Sequence, residues 1–136
     1  MLEWLAMEFL GSHILSIDQF ERTDIEKIFT TSDALVPYAK RESITRVLQG
    51  AILSNMFFEP STRTRISFGS AFNILGGEVR ETTGIEATSL AKGESLYDTS
   101  RVLSGYSDII VMRHHEAGSV DELSLIHISE PTRLRR

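Results

Sequence analysis

A cluster of hydroxyl and guanidinium side chains follows an apolar run in the segment FFEPSTRTRISF. Ser61, Thr62, Arg63, Thr64 and Arg65 supply the hydroxyls and guanidinium groups in consecutive positions. Hydroxyls donate to oxyanions, and a guanidinium binds two phosphate or carboxylate oxygens, each charge-assisted hydrogen bond being worth about 1.5–3 kcal/mol. The pattern therefore indicates an anion site. An ordinary Ser/Thr helix cap followed by surface arginines would give the same sequence pattern.

A buried strand before this cluster and a helix after it would place the cluster at a helix N-terminus. Residues 51–58 form a short, nearly continuous apolar run, which is typical of a strand buried on both faces. Apolar residues then recur at helical spacing over residues 64–75, and Gly76-Gly77 predicts a left-handed helix end. Free amides and the helix dipole would attract an anion to the intervening turn. No Walker A or GxGxxG motif accompanies it.

Helical and strand patterns alternate along the rest of the chain. The segment Thr23-Asp24-Ile25-Glu26 predicts a capping box that begins an earlier helix, and Pro37 predicts a kink or an end of that helix near Val36. The other predicted elements are a strand at residues 78–82, a helix at 95–104 and a buried strand at 108–113. This alternation predicts an α/β fold of three layers, a mostly parallel sheet with flanking helices, with ligands at the carboxyl ends of the strands.

Composition restricts the class of protein. The 136 residues carry a net charge of -5 and no cysteine, so a disulfide framework, a thiol nucleophile and a Cys-ligated zinc are excluded. No apolar run approaches the about 20 residues of a membrane span, and an acidic chain lacks the basic surface that nucleic acids require. The four histidines match no metal-ligand spacing. We expect a cytoplasmic protein with no metal, no nucleic-acid partner and no membrane partner.

The last residues, LSLIHISEPTRLRR at 123–136, differ in character from the rest of the chain. They resemble translated sequencing-adapter read-through and show no convincing helix or strand pattern, so we expect a non-native tail. The rest, residues 1–122, would be a partial domain. A genuine basic tail that frays in solvent is the competing interpretation.

Three motifs together resemble a known family. FFEPSTRTRISF resembles the carbamoyl-phosphate signature of the aspartate and ornithine carbamoyltransferases, and SLAKGESLYDT and DIIVMRH follow in that family's order. The resemblance covers roughly residues 14–120, the carbamoyl-phosphate-binding part, and Pro60, the loop at 92–95 and residues 111–114 resemble the aspartate branch. It implies transfer of the carbamoyl group of carbamoyl phosphate to the amine of L-aspartate, a step of pyrimidine biosynthesis that uses no cofactor.

The resemblance also implies roles for individual residues. Ser61, Thr62, Arg63 and Thr64 would hold the phosphate, and Arg63 would neutralise its charge as it departs. Thr64 and Arg113 would donate to the carbonyl oxygen, whose negative charge grows during attack by the amine.

A further loop would act between subunits. Ser89 and Lys92 would enter the site of a neighbouring subunit in a homotrimer, with or without a regulatory chain, and Thr88 could take the place of Ser89. Arg65 would be structural and pair with a carboxylate such as Glu59. The catalytic candidates are then Arg63, Thr64, Lys92 and Arg113.

Different functions remain open from the residues alone. The segment 89–92 satisfies the S-x-x-K pattern of serine acyl-enzymes, although the chain lacks the KTG and SDN elements of that class. A non-catalytic anion-binding module and an ornithine carbamoyltransferase are also compatible with the residues. The family's later blocks, a His-Pro-Thr-Gln segment and the arginines of the aspartate domain, have no counterpart in the sequence, so we expect the isolated chain to be inactive.

Overall fold

The structure is a computed structural model that describes residues 9–83 and 92–128, with side chains to residue 124 in the last helix. The chain divides into two compact units, Met1–Ser43 and Ile44–Arg136. No helix in the described ranges is long and apolar enough to cross a bilayer. The principal elements are α1 Arg22–Ala39, β1 Ile52–Phe57, α2 Thr62–Ile74, β2 Glu78–Thr83, α3 Leu96–Ser104, β3 Ile109–Arg113 and α4 Ser119–Ile128.

The first unit contains a 3-10 helix, Ile17–Gln19, and the helix α1. Helix α1 begins earlier than its predicted capping box. Glu21 is the N-cap residue, and the buried carboxylate of Asp24 accepts a hydrogen bond from the Glu21 amide at 3.0 Å. The predicted box from Thr23 to Glu26 is therefore wrong, because Thr23 already lies inside the first helical turn.

Pro37 lies inside α1 and does not end it. The helix continues to Ala39, and the carbonyl of Val36 still accepts from the amide of Lys40 at 3.0 Å. A proline removes the hydrogen bond of its own amide and crowds the carbonyl four residues back, but the residues that follow it can still donate, and only two helical residues follow Pro37. Of the two predicted effects of Pro37, an end of the helix near Val36 is therefore wrong, and a kink stays a prediction.

The second unit is built on a parallel sheet of order β2-β1-β3. Strand β1 is central and pairs in parallel with both neighbours, and the helices α2 and α3 lie on the two crossovers between strands. Leu53, Met56 and Phe57 of β1 are almost completely buried, as the apolar run predicted. The predicted α/β fold with a parallel sheet is confirmed, and each predicted element of this unit agrees with the structure to within two residues at either end.

Small polar residues on β1 join the sheet to its surroundings. Ser54 lies 2.5 Å from the hydroxyl of Ser107, next to the start of β3, and the Asp108 carboxylate accepts from the Ile52 amide at 2.8 Å. Successive side chains of a strand point to opposite faces, so Ser54 and Asn55 serve different faces of the sheet. Both are buried. The sheet is thus held by hydrogen bonds inside its core as well as by its ladder.

Helix α4 extends past the point where the native chain was expected to end. It runs over Ser119–Ile128, packs against α3, and buries Leu123 and Ser124. The prediction that residues 123–136 form no helix is therefore wrong for residues 123–128. The apolar side chain of Leu123 is buried, and this burial stabilises the helix at that position.

The turn that ends α2 requires two glycines. Gly76 has φ 95°, and the Gly77 amide donates to the Phe72 carbonyl at 3.1 Å, as a left-handed helix end demands. A Cβ at Gly77 would lie 2.2 Å from the ring of Phe72. The predicted glycine cap is confirmed, and the close ring contact explains why the second glycine is needed.

We expect Gly77→Ala to lower the free energy of unfolding by about 1–3 kcal/mol, because the Phe72 ring must move out of a packed core. Urea denaturation followed by circular dichroism measures this. Gly105→Ala is the matched control: its φ is -71° and its closest neighbour would be the Val102 carbonyl oxygen at 3.4 Å. The control should be neutral or stabilising by up to about 1 kcal/mol. Equal losses in both variants would contradict this explanation.

Candidate anion-binding site

The site lies at the carboxyl ends of two adjacent strands. In the parallel register Phe57 of β1 is opposite Arg113 of β3, and the Phe58 amide donates to the Arg113 carbonyl at 2.9 Å. The ladder therefore continues to the last residue of β3. This places Arg113 beside the turn through which the chain passes from β1 into α2.

The guanidinium of Arg113 is held by two hydrogen bonds. Its Nε donates to Glu59 Oε2 at 2.8 Å, and its Nη1 donates to Ser61 Oγ at 3.0 Å. The side chains of Arg113 and Glu59 remain 47% and 32% exposed, so an incoming anion can reach the guanidinium. Both partners come from the turn after β1. The guanidinium is thus pre-oriented at the start of α2.

Ser61 is the N-cap residue of α2, but its hydroxyl does not cap the helix. The Ser61 backbone is not helical, with φ -156° and ψ 67°, and its carbonyl accepts the first helical hydrogen bond, from the Arg65 amide at 3.0 Å. Its Oγ instead accepts from Arg113. No side-chain cap satisfies the first turn in the part of the chain that the structure describes, so the amides of residues 62–64 are available to an anion.

The structure brings some predicted site residues together. Ser61 and Arg113, fifty-two positions apart in sequence, are in hydrogen-bond contact, and Thr62, Arg63 and Thr64 follow Ser61 as the exposed first turn of α2. Lys92 is exposed at the start of the second described segment. Ser89 and its possible substitute Thr88 lie outside the described residues.

The predicted partner of Arg65 is wrong. Arg65 Nη1 pairs with Glu81 Oε2 of β2 at 3.1 Å, whereas Glu59 pairs with Arg113. The reason is the parallel register: Glu81 lies on the strand beside β1 and faces the first turn of α2, while Glu59 leaves β1 on the side of β3. Sequence proximity of Glu59 to Arg65 was a poor guide to spatial proximity.

Asn55 contacts the first turn of α2, which the sequence patterns did not reveal. It is completely buried in the central strand. Its Nδ2 donates to the Arg65 carbonyl at 3.0 Å and to Glu81 Oε1 at 2.9 Å. Its Oδ1 is buried with no hydrogen-bond partner among the described residues, at a typical cost of about 1–3 kcal/mol. An asparagine inside a mostly apolar buried strand was the available signal, because buried amides need partners.

The turn after β3 is shaped by His114. Its Nδ1 lies 3.0 Å from the Glu116 amide and 3.0 Å from Ser119 Oγ, and its ring packs edge-on against Phe58 at 5.2 Å. His115 stacks on it at 4.4 Å. These contacts agree with the strand-end position of His114 and anchor the turn between Arg113 and α4.

Two more features lie outside this site. A groove of about 260 Å³ runs beside α2 and β2 and includes Gly69 and Glu81, but none of the predicted anion ligands. Across the two described segments, no three histidine or carboxylate side chains come together as a metal site.

The arrangement suits a small phosphate-bearing ligand. Amides at the start of α2, the hydroxyls of its first turn and the guanidinium of Arg113 all donate, and the helix dipole places partial positive charge at the same point. Because Arg113 approaches from another strand, it can bind a part of the ligand different from the part that the helix binds. The site can therefore hold two linked oxygen-bearing groups at once.

The sequence matches the family described as aspartate/ornithine carbamoyltransferase, carbamoyl-P binding domain, over residues 12–130. A relative from Saccharophagus degradans, named aspartate carbamoyltransferase catalytic subunit, is 70% identical over 118 residues, which are 87% of this chain and 35% of the relative. A subunit of the same name from Dichelobacter nodosus is 52% identical over 87% of this chain and 34% of its own length. The chain thus spans about a third of these relatives.

Solved structures agree. Aspartate transcarbamoylase from Trypanosoma cruzi in complex with carbamoyl phosphate superposes with a TM-score of 0.79 and 39% identity, over 85% of this chain and 36% of that one. The catalytic subunit of M. jannaschii aspartate transcarbamoylase gives 0.79 and 41%, over 84% and 38%. Fold, sequence and site geometry lead to one conclusion: this chain belongs to the aspartate/ornithine carbamoyltransferase family and corresponds to its carbamoyl-phosphate-binding domain.

Proposed function

We propose that this chain is the carbamoyl-phosphate-binding part of an aspartate carbamoyltransferase. The whole enzyme would transfer the carbamoyl group of carbamoyl phosphate to the amine of L-aspartate, giving N-carbamoyl-L-aspartate and phosphate in pyrimidine biosynthesis. The observation that carries the proposal is the 3.0 Å contact between Arg113 and Ser61 at the open N-terminus of α2. The names of the relatives support the aspartate branch over the ornithine branch.

The phosphate would bind at the first turn of α2. The backbone amides there, with the side chains of Ser61, Thr62, Arg63 and Thr64, supply donors to its oxygens. As the bond between the carbamoyl carbon and the bridging oxygen breaks, negative charge grows on the phosphate. The exposed guanidinium of Arg63 and the dipole of α2 would stabilise that charge.

The carbonyl oxygen would bind toward β3. Thr64 and Arg113 would donate to it while the aspartate amine attacks the carbamoyl carbon, so that a C–N bond forms and the oxygen becomes an oxyanion. Collapse of this tetrahedral intermediate expels phosphate, and the nitrogen loses a proton. Rate acceleration would come from charge stabilisation and from holding the two substrates together, without a covalent intermediate on the protein.

The remaining parts of the active site are also proposals. Ser89 and Lys92 would reach the site of a neighbouring subunit of a homotrimer, where Lys92 would contact phosphate and the aspartate carboxylate. Association with a regulatory chain and a cytoplasmic location stay predictions. The aspartate-binding groups would come from chain beyond the third of the relatives' length that this sequence spans.

We expect carbamoyl phosphate to bind the chain more tightly than inorganic phosphate, because only the former offers a carbonyl oxygen to Thr64 and Arg113. Titrations followed by phosphorus NMR at low ionic strength measure both ligands. Arg63→Ala should weaken both by about tenfold, the loss of one charge-assisted hydrogen bond.

Arg80→Ala is the matched control for that titration. Arg80 is an exposed arginine of β2 next to Glu81, so its side chain faces the other side of the sheet. Its removal should leave both affinities unchanged. Equal affinity of the two ligands, unaffected by either substitution, would argue for nonspecific anion binding and against the proposed site.

Turnover by the isolated chain should be negligible. The chain carries donors for carbamoyl phosphate, but the groups expected to bind aspartate and to complete the carbonyl site are not in its sequence. The assay is formation of N-carbamoyl-L-aspartate by the purified 136-residue chain. A full-length aspartate carbamoyltransferase catalytic subunit at the same concentration is the positive control. A comparable rate for the two proteins would contradict the proposed division of the site.

A further inference from the structure

We infer that Asn55 is a positioning residue: its buried side-chain amide sets the place of the first turn of α2 relative to the sheet, and so sets the geometry of the anion site. That the turn binds phosphate rests on the proposed function. The positioning of the turn itself rests on the contacts of Asn55 alone.

Asn55 lies in the central strand of the sheet, where residues pair with strands on both sides. It lies in the middle of β1, opposite Glu81 on one side and Val111 on the other, and its side chain is completely buried. A residue with ladder partners on both sides has little freedom to shift. Its side chain can therefore act as a fixed reference for the helix that packs over it.

The amide of Asn55 has a defined orientation. Nδ2 donates to the Arg65 carbonyl at 3.0 Å and to Glu81 Oε1 at 2.9 Å. Rotation of the amide by half a turn would set Oδ1 against two acceptors, which repel it. Glu81 thus orients Asn55, and Asn55 in turn holds the carbonyl of Arg65. The second Glu81 oxygen pairs with the Arg65 guanidinium at 3.1 Å, so one carboxylate contacts both.

This contact acts on the anion site directly. Arg65 immediately follows Thr64, and the peptide carbonyl that Asn55 holds is in the first helical turn that begins at Thr62. Residues 62–65 form one helical turn, in which successive residues rise by only about 1.5 Å. A shift of the Arg65 carbonyl therefore moves the amides of residues 62–64 with it.

Close approach of α2 to Asn55 depends on a glycine one turn further along. Gly69 is buried, and a Cβ there would lie 3.2 Å from Glu81 Oε1 and 3.7 Å from Asn55 Nδ2. A side chain at this position would press on the carboxylate that orients the amide. The absence of a side chain at Gly69 therefore leaves room for the contact of Asn55 with Glu81.

The unpaired oxygen of Asn55 supports a positional role. Oδ1 is buried without a partner among the described residues, although an apolar residue would fill a buried strand position without that penalty. Core stability alone does not account for an asparagine here. A requirement for two donors at this point does.

The test uses the full 136-residue chain labelled with heavy nitrogen for amide NMR. Asn55→Asp keeps the shape of the side chain but replaces its two N–H donors by an acceptor. In the absence of ligand, the amide resonances of residues 62–64 should shift, and titration with inorganic phosphate should then show about tenfold weaker binding. Ser54→Ala is the control, because it removes a buried hydrogen bond on the opposite face of β1. It should lower stability without moving those resonances.

A double variant separates position from stability. Asn55→Asp with Glu81→Gln removes the repulsion between two carboxylates, so the urea midpoint should recover. The Arg65 carbonyl still faces an acceptor, and phosphate affinity should stay low. If the phosphate affinity of the double variant recovered together with its urea midpoint, Asn55 would contribute only to stability, and the inference would be overturned.

The remaining outcomes are also decisive. Unmoved resonances of residues 62–64 in ligand-free Asn55→Asp overturn the inference, whatever the affinity. A third outcome is that the resonances move in Asn55→Asp but the unsubstituted chain does not bind phosphate. This result would support the positioning of the turn by Asn55 and contradict the proposed function. Should Asn55→Asp fail to fold, Asn55→Ser, which keeps one donor, is measured in the same way, with the same resonances deciding.

Discussion

Parallel pairing of β1 with both neighbouring strands is the constraint on which the site depends. Because all three strands run in the same direction, their carboxyl ends meet at one edge, where Arg113 of β3 comes beside the turn that follows β1. The same pairing brings Glu81 of β2 opposite Asn55. An antiparallel neighbour would have sent its last residue to the opposite edge. Strand direction thus decides which side chains can cooperate.

The two ion pairs around this turn serve different purposes. Arg113 with Glu59 lies at the edge where a ligand would enter, and both side chains are partly exposed. Such a pair is weak in water, so an anion with more charge than a carboxylate can compete for the guanidinium. Arg65 with Glu81 lies over the sheet beside a fully buried asparagine. The first pair fixes the guanidinium of Arg113, the proposed ligand-binding group, and the second joins the first turn of α2 to β2.

The three strands of the second unit and its helices α2 and α3 were predictable because each has a local cause. A continuous apolar run predicted β1, and helical spacing of apolar residues predicted α2. The glycines at 76 and 77 predicted the end of that helix. The errors occurred where several local patterns compete. At the start of α1, Asp24 reaches back to Glu21 in place of the Thr23 box, and at residue 123 an apolar side chain lets α4 continue through a segment that looked foreign.

Local patterns in the chain were enough to predict the alternation of strands and helices, because this follows from periodicity, and three short motifs carried the resemblance to the family. That the turn at the start of α2 binds an anion stays a prediction. Long-range packing alone established which carboxylate contacts which arginine, and which backbone carbonyl accepts from Asn55. Those contacts join residues between 10 and 54 positions apart. The register of a parallel sheet sets them, and no local pattern in the chain encodes that register.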